Sequence, residues 1–305
     1  MSAESIPADW GDAQAMRVTA EMELDTAKGR KLSFKVGPGG EGDYQVPGAA
    51  GGEGGDERHW IEAGKQEGRM DFRDRHVVVT GGTGALGRAV VDALLAAGAH
   101  CHVPYRQEKE KESLPGGALS LIPAPSLADE AVVRKLYGGL PALWASIHIA
   151  GGFAFAPLTD TSGELLRRLI DDNLVSCFLC CREAVTAMRR GKAGGRIVNV
   201  AALQALEPRN GANISAATAA KAGVAALSAA LGEELAGEGI LVNAVAPSIM
   251  DTPTNRSAMP KANFDAWPKV EEVAATILFL ASPENKVGRG GVVPVFGACS
   301  QSAAS

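Results

Sequence analysis

The stretch His76-Val77-Val78-Val79-Thr80-Gly81-Gly82-Thr83-Gly84-Ala85-Leu86-Gly87 passes from an apolar run through a glycine-rich turn into a helical pattern, and that order decides the fold. Three consecutive valines leave no polar face for solvent, so the run predicts a strand covered on both sides of its sheet. The apolar spacing of Leu86 to Ala97 predicts the helix that follows. Between them, Gly81 permits the tight turn, Gly84 lets a ligand approach the backbone, and Gly87 lets the helix lie close against the sheet. The helix amino terminus faces the turn with unpaired N–H groups, which suits a pyrophosphate. In this context, directly after a strand and opening a helix, the turn predicts a dinucleotide site.

Further strands are predicted at Ala99 to Pro104, Ala118 to Ala124, Leu143 to Ile149, Gly195 to Ala201, Ile240 to Ala246 and Val292 to Phe296. Helical patterns occupy Ala128 to Tyr137, Gly163 to Arg190, Asn213 to Gly237 and Val270 to Ala281. Seven strands with helical crossovers predict an α/β fold: a doubly wound, parallel seven-stranded sheet with helices on both faces, spanning residues 71–297 and followed by a tail at 298–305. Residues 1–69 read as an appendage. Met16 to Asp25 and Arg30 to Val36 alternate as strands around a Lys28-Gly29 turn, and Glu57 to Ala63 is a third short candidate. Nine glycines between Gly37 and Gly55 disfavour any packed element there, so that segment reads as a flexible insert.

Composition sets the outer limits. At 305 residues and 46% apolar content the chain can bury a sizeable core. Thirty Lys and Arg against 35 Asp and Glu give a charge of −5, with no basic block to track a phosphate backbone, so nucleic acid is not an expected partner. No apolar run approaches the ~20 residues a membrane span needs, and the first residues lack secretory character, so a cytoplasmic location is expected. Cys177, Cys180 and Cys181 crowd into one apolar helical segment without a second ligand pair, which predicts packing thiols. His100 and His102 flank Cys101 on a strand, where alternation sends both rings to one face; they read as structural histidines.

The stretch from Thr80 to Gly87 resembles the fingerprint of the short-chain dehydrogenase/reductase family, in the TGxxGxxG spacing of its extended members. The similarity continues at His148-Ile149-Ala150-Gly151, where the family has NNAG, at GRIVNVAA over Gly195 to Ala202, and at VNAVAPSIMDTP over Val242 to Pro253. It covers some 220 residues and implies a Rossmann-type domain binding NAD(P). The implied coenzyme contacts are Gly81, Thr83, Gly84, Leu86 and Gly87 in the turn, Ala150 and Gly151 after the fourth strand, and Pro247 in the loop where Ser248 replaces the family's Gly. Thr252 stands at the threonine that meets the nicotinamide carboxamide, and Ser126 replaces an adenine-contacting Asp. At the end of the second strand Tyr105 and Arg106 stand where an NAD-selective carboxylate would be. A guanidinium pairs well with phosphate, so NADP(H) is expected over NAD(H).

The resemblance also implies four cooperating catalytic positions. Lys221 in AAKAGV and Asn173 in DDNLVSCFL match two of them. Ala217, four residues before Lys221, stands where the family has its proton-donating Tyr, and Ala202 where it has the Ser that holds the substrate oxygen. Gln204, Asn210, Asn213 and Ser248 are the polar groups nearest in sequence that could polarise a carbonyl; Ser215 lies too far round the helix from Ala217. The expectation is an oxidoreductase scaffold for a small carbonyl or alcohol substrate, with turnover impaired. A second reading is a non-catalytic dinucleotide-binding subunit pairing with an active relative through the helices at Gly163 to Arg190 and Asn213 to Gly237, the latter carrying Ala225, Ala226, Ala229 and Ala230. For the oxidoreductase reading a homo-dimer or homo-tetramer is expected. A third rests on Val18 to Val36 with Glu57 to Ala63, which resemble the last strands of a hot-dog thioesterase domain and would imply an acyl-thioester ketoreductase.

Overall fold

The computed structural model describes residues 21–25, 31–35, 70–114 and 116–298. The chain divides into two units, Met1–Lys65 and Gln66–Ser305. In the first, β1 (Glu21–Asp25) pairs antiparallel with β2 (Lys31–Lys35), Asp25 opposite Lys31. The turn between them, the glycine-rich segment and the candidate strand at Glu57 to Ala63 lie outside the described residues.

The second unit is a seven-stranded sheet in the order β5-β4-β3-β6-β7-β8-β9, with every pairing parallel. Its strands are β3 (His76–Thr80), β4 (His100–Tyr105), β5 (Leu119–Pro123), β6 (Leu143–His148), β7 (Gly195–Val200), β8 (Ile240–Pro247) and β9 (Val292–Val295). Helices cover both faces, which makes it the doubly wound, Rossmann-type sheet the sequence predicts. On one face α1 (Ala85–Ala96) and α8 (Val270–Ala281) bury Val90, Val91, Leu94 and Ile277 against Val77, Val79, Cys101 and Ile147. On the other, α2 (Glu130–Gly138), α4 (Ser176–Gly191) and α6 (Ser215–Glu234) bury Val133, Leu136, Ala184, Met188 and Val224 against Val78, Ile197 and Val242. β7 and β8 are buried along their whole length, as central parallel strands must be. Shorter helices α3 (Gly163–Ile170), α5 (Leu203–Leu206) and α7 (Pro253–Ala258) lie at the strand ends.

The single helix predicted over Gly163 to Arg190 is instead α3 and α4 joined by a π turn at Asp171–Val175. The cause is Asn173, whose Nδ2 donates to the Leu169 carbonyl at 2.8 Å and so competes with the backbone ladder one turn back. The predicted thiols pack as expected: Cys177, Cys180 and Cys181 are all buried in the core beneath α4. Among the described residues no helix is long and apolar enough to cross a membrane.

Candidate functional site

From β3 the chain moves outward to β4 and β5 and then returns across β3 to β6, so β3 and β6 flank the point where the strand order reverses. In open α/β sheets ligands sit outside the carboxyl ends of the strands at that point. A cleft of ≈310 Å³ opens there, walled by the turn after β3, the segment after β6, and residues 124–128 beyond β5.

The turn is built by its glycines. Gly81 sits at φ +69°, and a Cβ there would come within 2.7 Å of the Ala150 amide. A Cβ on Gly87 would run into the Gly81 carbonyl oxygen and lie 2.6 Å from Gly82 Cα, so α1 rests directly on the turn. Gly84 differs: the nearest heavy atom to an added Cβ is 3.4 Å away, which leaves its outer side open to the cleft. α1 has no side-chain cap and no acid in its first turn, whereas Asp129, Ser162 and Thr252 cap α2, α3 and α7. Its first N–H groups therefore retain donor capacity at the cleft wall. An open glycine beside an uncapped helix end fits the pyrophosphate of a dinucleotide.

The opposite wall is held by Thr80, whose hydroxyl accepts from the Ala150 amide at 3.3 Å. Beyond it Gly151, Asn173 and Lys221 meet. A Cβ at Gly151 would lie 2.5 Å from Asn173 Oδ1 and 3.4 Å from Lys221 Nζ. Asn173 is locked by Gly152, its Nδ2 donating to the carbonyl at 2.9 Å and its Oδ1 accepting from the amide at 3.3 Å. Lys221 Nζ donates to the Val200 carbonyl at 2.7 Å. Burial pushes its ammonium down to about 8, with the Cys177 sulfur opposing that shift.

Gly81, Thr83, Gly84, Leu86, Gly87, Arg106, Ser126, Ala150 and Gly151 thus share one cleft. Ser126 Oγ accepts from the Ala128 amide at 3.3 Å, which leaves its O–H for a ligand. Thr252 caps α7 by accepting from the Asn255 amide, and Pro247 is buried at the end of β8. Lys221, Pro247, Thr252 and Tyr105 do not line this cleft, and Tyr105 is turned away from it. It shares a face with Cys101 and Val103, is 7% exposed, and donates its phenol to Glu108 at 3.0 Å. A second departure concerns the acid expected to be absent. Glu110, on the 3-10 turn Glu108–Ser113, folds back into the cleft and accepts from the Arg106 amide at 3.1 Å and the Thr83 hydroxyl at 3.5 Å, with the Arg106 guanidinium 4.0 Å away.

The surroundings of Ala217 are apolar. Ala217 is 6% exposed and packs with Leu169, Ala216, Ala154 and Leu165, while Ala202 precedes α5 in extended backbone. Two of the polar substitutes are committed elsewhere, Ser248 donating to the Phe296 carbonyl at 2.8 Å and Asn210 to Glu207 at 2.8 Å; Asn213 sits in a left-handed turn at φ +62°, and Gln204 is half-buried on α5. Thr218, next to Ala217, turns toward Gly211, where its Oγ1 is the one buried side-chain polar atom without a partner among the described residues. Sequence reasoning also missed the polar chain beneath the site. His148 Nδ1 meets Asn199 Oδ1 at 2.8 Å and its Nε2 meets Ser146 Oγ at 2.8 Å; Tyr137 bonds Ser146, and Asn199 donates to Ser228. Alternation along β6 puts Ser146 and His148 on one face, which was the available signal.

The 2-dehydro-3-deoxy-L-rhamnonate dehydrogenase (NAD(+)) of Sphingomonas sp. (strain SKA58) is 31% identical over 238 residues, 70% of this chain and 90% of that protein. The 3beta-hydroxysteroid dehydrogenase 1 of Eggerthella lenta is 31% identical over 237 residues, 70% of this chain and 89% of the relative. Among solved structures, a short-chain type dehydrogenase/reductase from Mycobacterium ulcerans superposes with a TM-score of 0.69 at 26% identity, covering 75% of this chain and 90% of the other. The family model described as short chain dehydrogenase matches residues 75–263, and the chain belongs to that family.

Proposed function

We propose that this chain holds NADP(H) in the cleft and keeps the coenzyme-binding half of a carbonyl-reducing or alcohol-oxidising site while lacking its proton-donating half. The observation that carries the reading is the contrast between the two ends. The glycine turn and the uncapped α1 form one; at the other, Gly151, Asn173 and Lys221 remain together while Ala217, one turn before Lys221, sits in an apolar contact. The bound coenzyme would supply the hydride. The turn and the α1 amides take its pyrophosphate, Gly151 keeps the wall low, and Lys221, anchored on Val200, offers its remaining N–H donors to the ribose. Asn173 keeps the π turn open beside Gly152. No hydroxyl from residues 202 or 217 is left to protonate or hold a substrate oxygen.

Arg106 supports the choice of NADP(H), being two-thirds exposed and part of the cleft wall. Glu110 works against it, since a carboxylate at this place favours free ribose hydroxyls. Arg106→Ala is therefore expected to weaken NADPH binding about tenfold, one charge-assisted contact being lost. Glu110→Gln should strengthen NADPH relative to NADH by about two- to fivefold. Fluorescence titration of both nucleotides checks these; tighter binding of NADH than of NADPH by the unaltered chain would overturn the preference.

One surface favours self-association as part of this function. Phe178 on α4 is 49% exposed beside a groove of ≈230 Å³ between α4 and α6, and Ala226, Ala229 and Ala230 are exposed along α6. Ala225 is buried in the core and takes no part. Placing a charge in that patch by Phe178→Asp should raise the dissociation constant of the oligomer at least about tenfold, as hot-spot aromatics do. Light scattering after size-exclusion chromatography reads it, and an unchanged mass across dilution would reject the surface.

A further inference from the structure

Three imidazoles stand together at the end of the sheet opposite the coenzyme cleft, and nothing in the proposed function uses them. His76 opens β3, and His100 and His102 lie two apart on β4; the register pairs His76 with His100 and Val78 with His102. All three side chains project from one face. Their ring centroids are 5.0, 5.1 and 5.2 Å apart, and a ligand nitrogen from each lies within 4.8 Å of the others. His76 Nδ1 is 2.9 Å from His102 Nε2, and His100 Nε2 is 3.1 Å from Ser120 Oγ on β5.

We propose that His76, His100 and His102 form a binding site for a zinc-type dication, with a solvent-facing fourth position beside Ser120. A Zn–N distance of ~2.0–2.1 Å puts each imidazole centre about 3.2 Å from the ion, so tetrahedral angles place the centres about 5.2 Å apart. The observed triangle matches this without backbone movement. The interplanar angles of 25°, 33° and 39° show rings lying side by side, so metal binding needs rotation about χ2. His76 and His100 are half-buried and His102 is buried, so that rotation exchanges the His76–His102 and His100–Ser120 contacts for bonds to the ion. Three imidazole nitrogen donors select Zn²⁺, Co²⁺, Ni²⁺ or Cu²⁺ over Mg²⁺ or Ca²⁺, which require oxygen. The site would tie together the amino ends of two neighbouring strands, far from the reacting centre.

The test uses the full chain without an affinity tag, stripped with a chelator and dialysed against Zn²⁺, with Co²⁺ absorption as a second readout. One Zn²⁺ per chain is expected, and a visible Co²⁺ band of tetrahedral intensity. His76→Gln and His100→Gln should each weaken binding at least about tenfold, as losing metal-site groups does. Both positions tolerate polar side chains at the surface, so thermal melts of the metal-free variants should match the parent. A second cluster, His148, Cys177 and Cys181, is buried in the core. Cys177→Ala separates it from the first, and His59→Gln controls for the remaining histidine; neither should alter uptake. Absence of stoichiometric uptake, or uptake lost in Cys177→Ala but retained in both Gln variants, would overturn the assignment.

Discussion

Ala217→Tyr is expected to raise carbonyl turnover by about 10²- to 10⁴-fold, the usual contribution of a positioned general acid, while coenzyme affinity stays where it is. Residue 217 lies one turn before Lys221 on α6, so a phenol there shares the helical face on which the ammonium is held by Val200. Its present neighbours include Ala154 and Leu165, which are only partly buried, so the ring can displace them toward the cleft without entering the main core. Ala202→Ser alone should leave turnover at baseline, because it would hold an oxygen without supplying its proton. NADPH consumption at 340 nm across a carbonyl panel measures the gain. Equal rates for parent and variant, with intact nucleotide binding, would show that the proton comes from another group.

Gly87→Val should cost roughly 3 kcal/mol or more, at the upper end of what overpacking a tight contact costs, and a fall in Tm of about 6–12 °C for a domain this size. Even a methyl at residue 87 would strike the Gly81 carbonyl oxygen, which is backbone and cannot swing aside. Relief requires lifting α1 off the turn, and that displaces the amides facing the cleft. Coenzyme binding and stability should therefore fall together. Calorimetry with and without NADPH reads both; a variant that melts normally would mean that α1 has more play than the geometry allows.

Sheet and helices were legible because each relies on local pattern: every strand from β3 to β9 falls within two residues of its apolar run, and the glycine turn follows from its position after β3. The misses share a different cause. Tyr105 stands with Arg106 where an NAD-selective carboxylate would be, but alternation with Cys101 and Val103 turns its side chain away. Glu110 reaches the cleft only because a 3-10 turn folds back over β4, a tertiary event that no spacing rule carries. The π turn depends on one side chain competing for one carbonyl. His76 joins His100 and His102 through strand register, which links positions 24 and 26 residues apart.

β8 is buried from end to end, yet its outer flank is sheltered only by residues 290–295, nearly fifty positions further along the chain. During synthesis the ribosome must release Val292–Val295 before that flank closes, and until then its row of amides and carbonyls is a template for a second chain. A premature stop codon between Pro247 and Val292 would thus yield a sticky, aggregation-prone polypeptide that quality-control machinery has to clear.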